Sequence, residues 1–68
     1  MTIEFTDTEY RFNSGHAPRG RGYWGFRFEG HEFWATGTLT EAKKKCRAEV
    51  RRLAPKGYAN LVIVTIMP

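Results

Sequence analysis

The 68-residue chain contains little cysteine or proline and no long apolar run. Its single cysteine, Cys46, excludes an internal disulfide and is typical of a reducing compartment. The longest apolar run, residues 61–64, is far shorter than the ~20 residues of a membrane span. Residues 1–5 lack the basic and apolar regions of a signal peptide. We therefore expect one cytoplasmic domain, residues 1–68, near the lower size limit for folding without disulfides or metal.

Groups that carry catalysis or bind metal are also scarce. Ser14 is the only serine, and it lies in a glycine-rich stretch without an adjacent base. His16 and His31 are fifteen positions apart, with no CxxC or HxxxH spacing beside them. Cys46 falls on the apolar side of a predicted helix, where a small buried hydrophobe is expected. The sequence therefore predicts a protein with no catalytic residues, no metal site and no cofactor, which is not an enzyme.

Residues 22–36 hold six of the ten aromatic residues, in alternating order. Alternation is the period of a half-buried strand, and Gly30 supplies the positive φ of a tight turn. The turn is predicted at Glu29–Gly30, or one step along at Gly30–His31. Both turns give the same two faces. The predicted core face carries Trp24, Phe26, Phe28, Phe33 and Ala35, and the predicted open face carries Tyr23, Arg27, Glu32, Trp34 and Thr36.

Two segments precede this hairpin. Residues 3–12 are interpreted as a second hairpin with a turn at Asp7–Thr8, or as one bulged edge strand, because the turn would pair apolar with apolar and acidic with basic side chains. Residues 13–22, with three glycines and one proline, are predicted to be a flexible loop that contains Arg19 and Arg21.

A helix and a final strand follow the hairpin. Thr38 and Glu41 have the spacing of a capping box, and an apolar stripe continues at helical spacing until Pro55 and Gly57. The predicted helix spans residues 38–54, with the stripe formed by Leu39, Ala42, Cys46, Val50 and Leu53. The β-branched run at residues 61–66 is apolar on both faces, as in a central strand. The sequence predicts an α+β fold, in which β-hairpins, one helix and a strand form a mostly antiparallel sheet with the helix on one face.

The charge is basic, with a formal net charge of +4 and a pI near 9.6. A small basic domain favours a polyanion or an acidic protein surface as its partner. Basic residues lie among aromatics in the loop and hairpin, and again along the helix. The candidate partner or nucleic-acid-binding residues are Arg19, Arg21, Tyr23, Arg27, Trp34, Lys43, Lys44, Arg47 and Arg51. Two structural alternatives remain open: Trp34 covers Gly25 and packs against Arg27, and the basic helix face is a solvated surface.

Two resemblances concern the hairpin and helix. The string Tyr23-x-Gly-Phe-Arg-Phe-x-Gly-x-x-Phe33, followed by Thr38-Leu-Thr-Glu-Ala42, resembles the sheet-plus-helix DNA-binding domains of tyrosine-recombinase arms and AP2 proteins. Those domains end after the helix, whereas here a strand follows. The start Leu39-Thr-Glu-Ala-Lys43, before a final strand, is similar to that of several small phage-encoded anti-CRISPR proteins. This second resemblance implies a phage protein of the host cytoplasm.

Three functions follow as expectations. The first is a non-catalytic inhibitor or adaptor, anti-CRISPR-like, that docks on a protein or nucleoprotein complex that processes nucleic acid. The second is a domain that binds DNA or RNA directly through its basic and aromatic residues. The third is a homo-oligomeric structural module formed through exposed strand edges. None of the three involves a membrane.

Overall fold

A four-stranded sheet and two helices form the described part of the protein. The structure is a computed structural model that describes residues 2–53 and 60–68. Its elements are β1 (Thr2–Thr6), α1 (Thr8–Ser14), β2 (Arg21–Phe28), β3 (His31–Thr38), α2 (Leu39–Leu53) and β4 (Leu61–Ile66). The strand order is β1-β4-β2-β3. Strand β4 is parallel to β1 and antiparallel to β2, and β2 is antiparallel to β3. The predicted α+β class with a mostly antiparallel sheet is confirmed.

The β2–β3 hairpin has the register that the alternation predicts. Phe28 pairs with His31, and Gly25 pairs with Trp34. The turn is Glu29–Gly30, with φ values of +48° and +78°. Two consecutive positive φ values are those of a type I′ turn, whose twist matches that of the flanking strands. The first of the two predicted turns is therefore the observed one.

The core lies between the sheet and α2. From the predicted core face of the hairpin, four side chains are buried and Phe33 is half-buried. Helix α2 contributes Ala42, Cys46 and Val50, all fully buried, so the predicted apolar stripe is confirmed. The buried core comprises Trp24, Phe26, Phe28, Ala35, Ala42, Cys46, Val50, Val62, Val64 and Ile66. Burial in this core raises the pKa of the Cys46 thiol to about 12, so Cys46 is packed as a hydrophobe.

Helix α2 starts with the predicted capping box. The Thr38 backbone N–H and hydroxyl both donate to Glu41 Oε1 at 2.9 Å, and the Glu41 N–H donates to Thr38 Oγ1 at 3.2 Å. The helix spans 15 residues from Leu39 to Leu53, so Thr38 is the cap rather than the first helical residue. Positions 54, 55 and 57, where the sequence predicts the helix end, lie outside the described residues. Neither α1 nor α2 is long and apolar enough to cross a membrane.

Strand β4 is an interior strand, as predicted, between β1 and β2. Strands β3 and β4 are each antiparallel to β2, so they run in the same direction. Helix α2, which follows β3, packs against β2 and β3. Only one face of β4 is buried, however. Val62, Val64 and Ile66 face the core, whereas Leu61 and Ile63 are 45% and 46% exposed. The face of the sheet that carries Leu61 and Ile63, opposite α2, is called the open face below.

Both interpretations of residues 3–12, a second hairpin or one bulged edge strand, are wrong, because residues 8–14 form α1. Local interactions favour the helix over a turn at Asp7–Thr8. The Arg11 guanidinium binds Asp7 at 2.8 Å, and the Asn13 side chain donates to the Glu9 carbonyl at 2.9 Å, both with i,i+4 spacing. The Gly15 N–H donates to the Arg11 carbonyl and closes the helix. The predicted loop at 13–22 is correspondingly shorter, since only residues 15–20 lie between α1 and β2.

Helix α1 has no buried side chain, and two of its residues, Tyr10 and Glu9, attach it to the sheet. Tyr10 packs on Trp24, with ring centroids 5.7 Å apart, and Glu9 binds Arg27 at 2.5 Å. Trp24 and Arg27 are three positions apart on β2 and therefore point to opposite faces of the sheet. Phe12, on the outer side of α1, is 90% exposed.

We expect Phe26→Ala to lower the free energy of unfolding by about 3–5 kcal/mol, because it removes a fully buried ring from the core. Phe12→Ala is the matched control, since the same atoms are lost from an exposed ring, and its effect should stay within about 0.5 kcal/mol. Urea unfolding followed by circular dichroism measures both. Equal losses in the two variants would contradict the described core.

The capping box predicts a pH dependence of stability. The hydrogen bonds from Thr38, chiefly that from its backbone N–H, lower the pKa of Glu41 below its ordinary value of about 4.3. The ionised carboxylate therefore stabilises the fold above that ordinary value, and the contribution is lost as pH falls through the lowered pKa. We expect Glu41→Gln to lower the melting temperature at pH ~7 and to match the original chain once the pH is below the lowered pKa of Glu41. If the difference in melting temperature between the two proteins were the same at every pH, the charge of Glu41 would make no contribution to stability.

Candidate binding groove

One end of the hairpin, α1 and the C-terminal residues enclose a groove of about 330 Å³. Four parts of the chain that are distant in sequence contribute to it. They are Tyr10 and Ser14 of α1, Arg19 with residues 21–25 of the loop and β2, Trp34 of β3, and residues 67–68 after β4. Four of the predicted binding residues, Arg19, Arg21, Tyr23 and Trp34, meet here.

A stacked aromatic pair forms the exposed side of the groove. The Tyr23 and Trp34 rings are 5.1 Å apart between centroids and only 19° from parallel. Tyr23 pairs with Thr36 and Trp34 with Gly25, so the two rings are diagonal neighbours on the open face. Tyr23 is 67% exposed and Trp34 is 41% exposed. The pair therefore presents aromatic surface to solvent beside the groove.

Gly25 gives Trp34 its position. The indole lies over residue 25, so that a Cβ added there would be 2.5 Å from Cη2 of Trp34. Only a glycine allows the ring to lie this close to the strand. The structural interpretation of Trp34 is thus right about Gly25. Arg27 binds Glu9 and is not among the residues that line the groove.

The inner wall of the groove is buried and fixed. Trp24 is 6% exposed, and its Nε1–H donates to the Gly37 carbonyl at 3.2 Å. Tyr10 covers this indole from α1. The sequence did not indicate Tyr10 and Ser14 as groove residues, because residues 3–12 were assigned to strands and residues 13–22 to a loop. The spacing of Tyr10 and Ser14, four positions apart, together with Gly15 after them, was the available indication of a helix face.

The charge of the groove is positive. Arg19 and Arg21 line it, and neither makes an ion pair with any residue that the structure describes. Gly20, the one residue between them, is anchored, because its carbonyl accepts a 2.9 Å hydrogen bond from the Leu39 N–H at the start of α2. Arg21 is close enough to Glu41 to contribute to its lowered pKa. No acidic side chain is among the described lining residues.

The four predicted helix residues do not join this groove. Lys43 Nζ and the Arg47 guanidinium lie over the Phe5 ring, at 5.3 Å and 5.0 Å from its centroid, and thereby cover the partly buried Phe5 at the edge of the core. Lys44 and Arg51 are exposed. Helix α2 packs on the face of the sheet opposite Tyr23 and Trp34. The predicted residues therefore divide between the groove and α2, with Arg27 in neither, and in the groove the charged side chains lie beside exposed aromatic rings.

The groove presents cationic, aromatic and hydroxyl groups. It offers two guanidinium groups, an exposed phenol ring stacked on an indole, and the Ser14 hydroxyl. Within residues 2–53 and 60–68 there is no group of three or more His, Cys, Asp or Glu side chains placed to hold a metal ion. A planar, negatively charged ligand is the chemical complement of these groups.

We expect Gly25→Ala to destabilise the fold by about 1–3 kcal/mol, because the new methyl group must displace the Trp34 indole. Gly22→Ala is the control: it lies on the same strand, and a Cβ there meets nothing within 4 Å. Its effect should be small and, if anything, stabilising, by less than about 1 kcal/mol. Thermal unfolding and the tryptophan emission spectrum measure both variants. An unchanged Gly25→Ala protein would contradict the placement of Trp34.

Comparisons with known proteins add no family to this description. No protein-family model matches the chain, and neither does any curated protein or solved structure. The two resemblances drawn from the sequence are left untested by these comparisons. The function is therefore inferred from the charged side chains, the aromatic rings and the volume of the groove.

Proposed function

We propose that this protein is a non-catalytic binding domain for single-stranded nucleic acid, and that the groove is its binding site. The observation that carries the proposal is the stacked Tyr23–Trp34 pair, exposed beside two arginines that have no ion pair in the described chain. Stacking platforms next to basic side chains are the usual means of holding unpaired bases and their phosphates.

The two kinds of group support different parts of the ligand. An aromatic ring accepts any base, because every base has a π-face, and one such contact contributes about 1–3 kcal/mol. Arginine binds phosphate oxygens through paired N–H donors. In a duplex both faces of each base are occupied by its neighbours, so only an unpaired base reaches Tyr23. The proposal therefore includes a preference for single strands over duplex.

The net charge of +4 contributes to association rather than to selectivity. Basic residues on both sides of the sheet raise the encounter rate with any polyanion at low salt. Contacts at the groove release counterions from the phosphates that they neutralise, at about 0.7 per phosphate for a single strand. The salt dependence of binding thus counts the phosphates that the protein contacts.

A titration of short labelled single-stranded DNA and RNA, and of the matching duplex, tests this function. We expect binding at ~50 mM salt that weakens steeply towards ~200 mM, and weaker binding of the duplex. Replacing Arg19 and Arg21 together by glutamine should weaken binding and lower the salt slope, by about 0.7 for each phosphate contact that is lost.

Replacing Lys44 and Arg51 together by glutamine is the matched control for that titration. This pair is exposed on α2, outside the groove, and the substitution removes the same charge. The control should retain the slope. An equal loss of affinity in both double variants would mean that binding depends on the total charge and not on the groove. An absence of binding at ~50 mM salt would exclude the function.

A second candidate function is favoured by Phe12. A phenyl ring that is 90% exposed on the outer side of a helix is typical of a protein contact, because aromatic side chains carry much of the energy of interfaces. This function is that of an inhibitor or adaptor that docks on a protein complex that processes nucleic acid. Phe12 lines no part of the groove, so the two functions use different surfaces. A failure of direct nucleic-acid binding would favour this second function.

A further inference from the structure

The groove is small for a run of nucleotides. Its volume of about 330 Å³ lies at the low end of the range of roughly 300–1,000 Å³ for small-ligand sites. It is bounded by α1 on one side and by residues 67–68 on another. A volume of this size holds one nucleotide unit, and the remainder of a strand would leave it.

The aromatic pair offers one free stacking face. Tyr23 lies parallel to Trp34 on one side, and two thirds of its side chain remain exposed, so its opposite face is open. Trp34 has its own ring placed over Gly25. One additional ring therefore extends the stack on Tyr23, and one base is the planar group that a nucleic acid supplies.

The arginines are held as a pair. Arg19 and Arg21 flank Gly20, whose carbonyl is bound by the Leu39 N–H, so the backbone between the two guanidinium groups is tied to the start of α2. Two cations on one anchored segment, with no acidic side chain among the described lining residues, form a site for an anion. The Ser14 hydroxyl lies on the same groove and can donate to an oxygen.

From these placements we infer that the groove binds a single nucleoside monophosphate unit, with its base stacked on Tyr23 and its phosphate bound by Arg19 and Arg21. This inference rests on the proposed function and specifies the ligand of the same site. It implies that a free mononucleotide is sufficient for binding. A carboxylate-bearing peptide, which shares only the anionic part of this chemistry, is the alternative occupant.

Two-dimensional amide and indole NMR of the isotope-labelled protein is the direct test. AMP, UMP, adenosine, inorganic phosphate and a short Asp/Glu peptide are each titrated to ~10 mM. We expect saturable shifts with AMP and UMP at the Trp34 indole N–H and at residues 19–25, with no shift at Lys44 and Arg51 on α2. Adenosine and phosphate should each bind at least about tenfold more weakly than AMP, since each makes only part of the contacts.

Three variants assign the parts of the site. Tyr23→Leu should lower the affinity for AMP to that for phosphate, and the double change of Arg19 and Arg21 to glutamine should lower it to that for adenosine. The double change of Lys44 and Arg51 to glutamine should leave the affinity for AMP unchanged. Dispersed spectra of each variant confirm that it is folded.

Distinct results overturn the inference. Equal affinities for AMP and phosphate would remove the base site, and tighter binding of the peptide would assign the groove to an acidic protein segment. Binding of single-stranded oligonucleotides without any binding of AMP would remove the single-nucleotide site and leave the proposed function in place. If neither binds, both the inference and the proposed function are wrong.

Discussion

Glu29 and Gly30 both adopt positive φ, and the tight turn that they form decides which side chains of the hairpin enter the core. Side chains alternate between the faces of a strand, so a two-residue turn keeps Phe26 and Phe33 on one face, whereas a slip of one strand by one residue would move its core side chains to the other face. With the observed register, the large rings of Phe26 and Phe28 are buried, and Tyr23 is left exposed. The packing of α2 and the existence of the groove both depend on this division.

A single layer of helix on the sheet explains why the protein has so much exposed apolar and aromatic surface. Helix α2 covers one face, and residues 2–53 and 60–68 form no second layer on the other. The open face consequently carries Leu61 and Ile63 near one end and the Tyr23–Trp34 pair near the other. Two of the basic side chains of α2, Lys43 and Arg47, contribute to the stability of the fold, because they cover Phe5 at the edge of the core.

The groove is assembled from weakly held parts around a rigid wall. Trp24 is fixed by burial and by its hydrogen bond to Gly37, and β2 is paired on both sides at Phe26 and Arg27. Helix α1, by contrast, buries no residue and is attached through Tyr10 and the Glu9–Arg27 ion pair. An exposed ion pair of this kind contributes about 0–1 kcal/mol. The ligand would thus meet a fixed aromatic surface and a more easily displaced helix.

The sequence by itself determined the elements whose evidence is local and periodic. The hairpin register, the capping box of α2 and the interior strand β4 follow from alternation, from Thr38 and Glu41, and from a β-branched run. The sequence did not predict helix α1, because this seven-residue segment fits both a hairpin pattern and i,i+4 pairing. The contact between Tyr10 and Trp24, which is made by the helix, is a tertiary one. The sequence also named Arg19, Arg21, Tyr23 and Trp34, but only the tertiary structure separated them from Arg27 and from the α2 cations. Strand pairing and the hydrogen bonds that Leu39 donates to Gly20 and Met67 donates to Gly25 bring the groove residues together. No local pattern encodes contacts between segments so far apart in the chain.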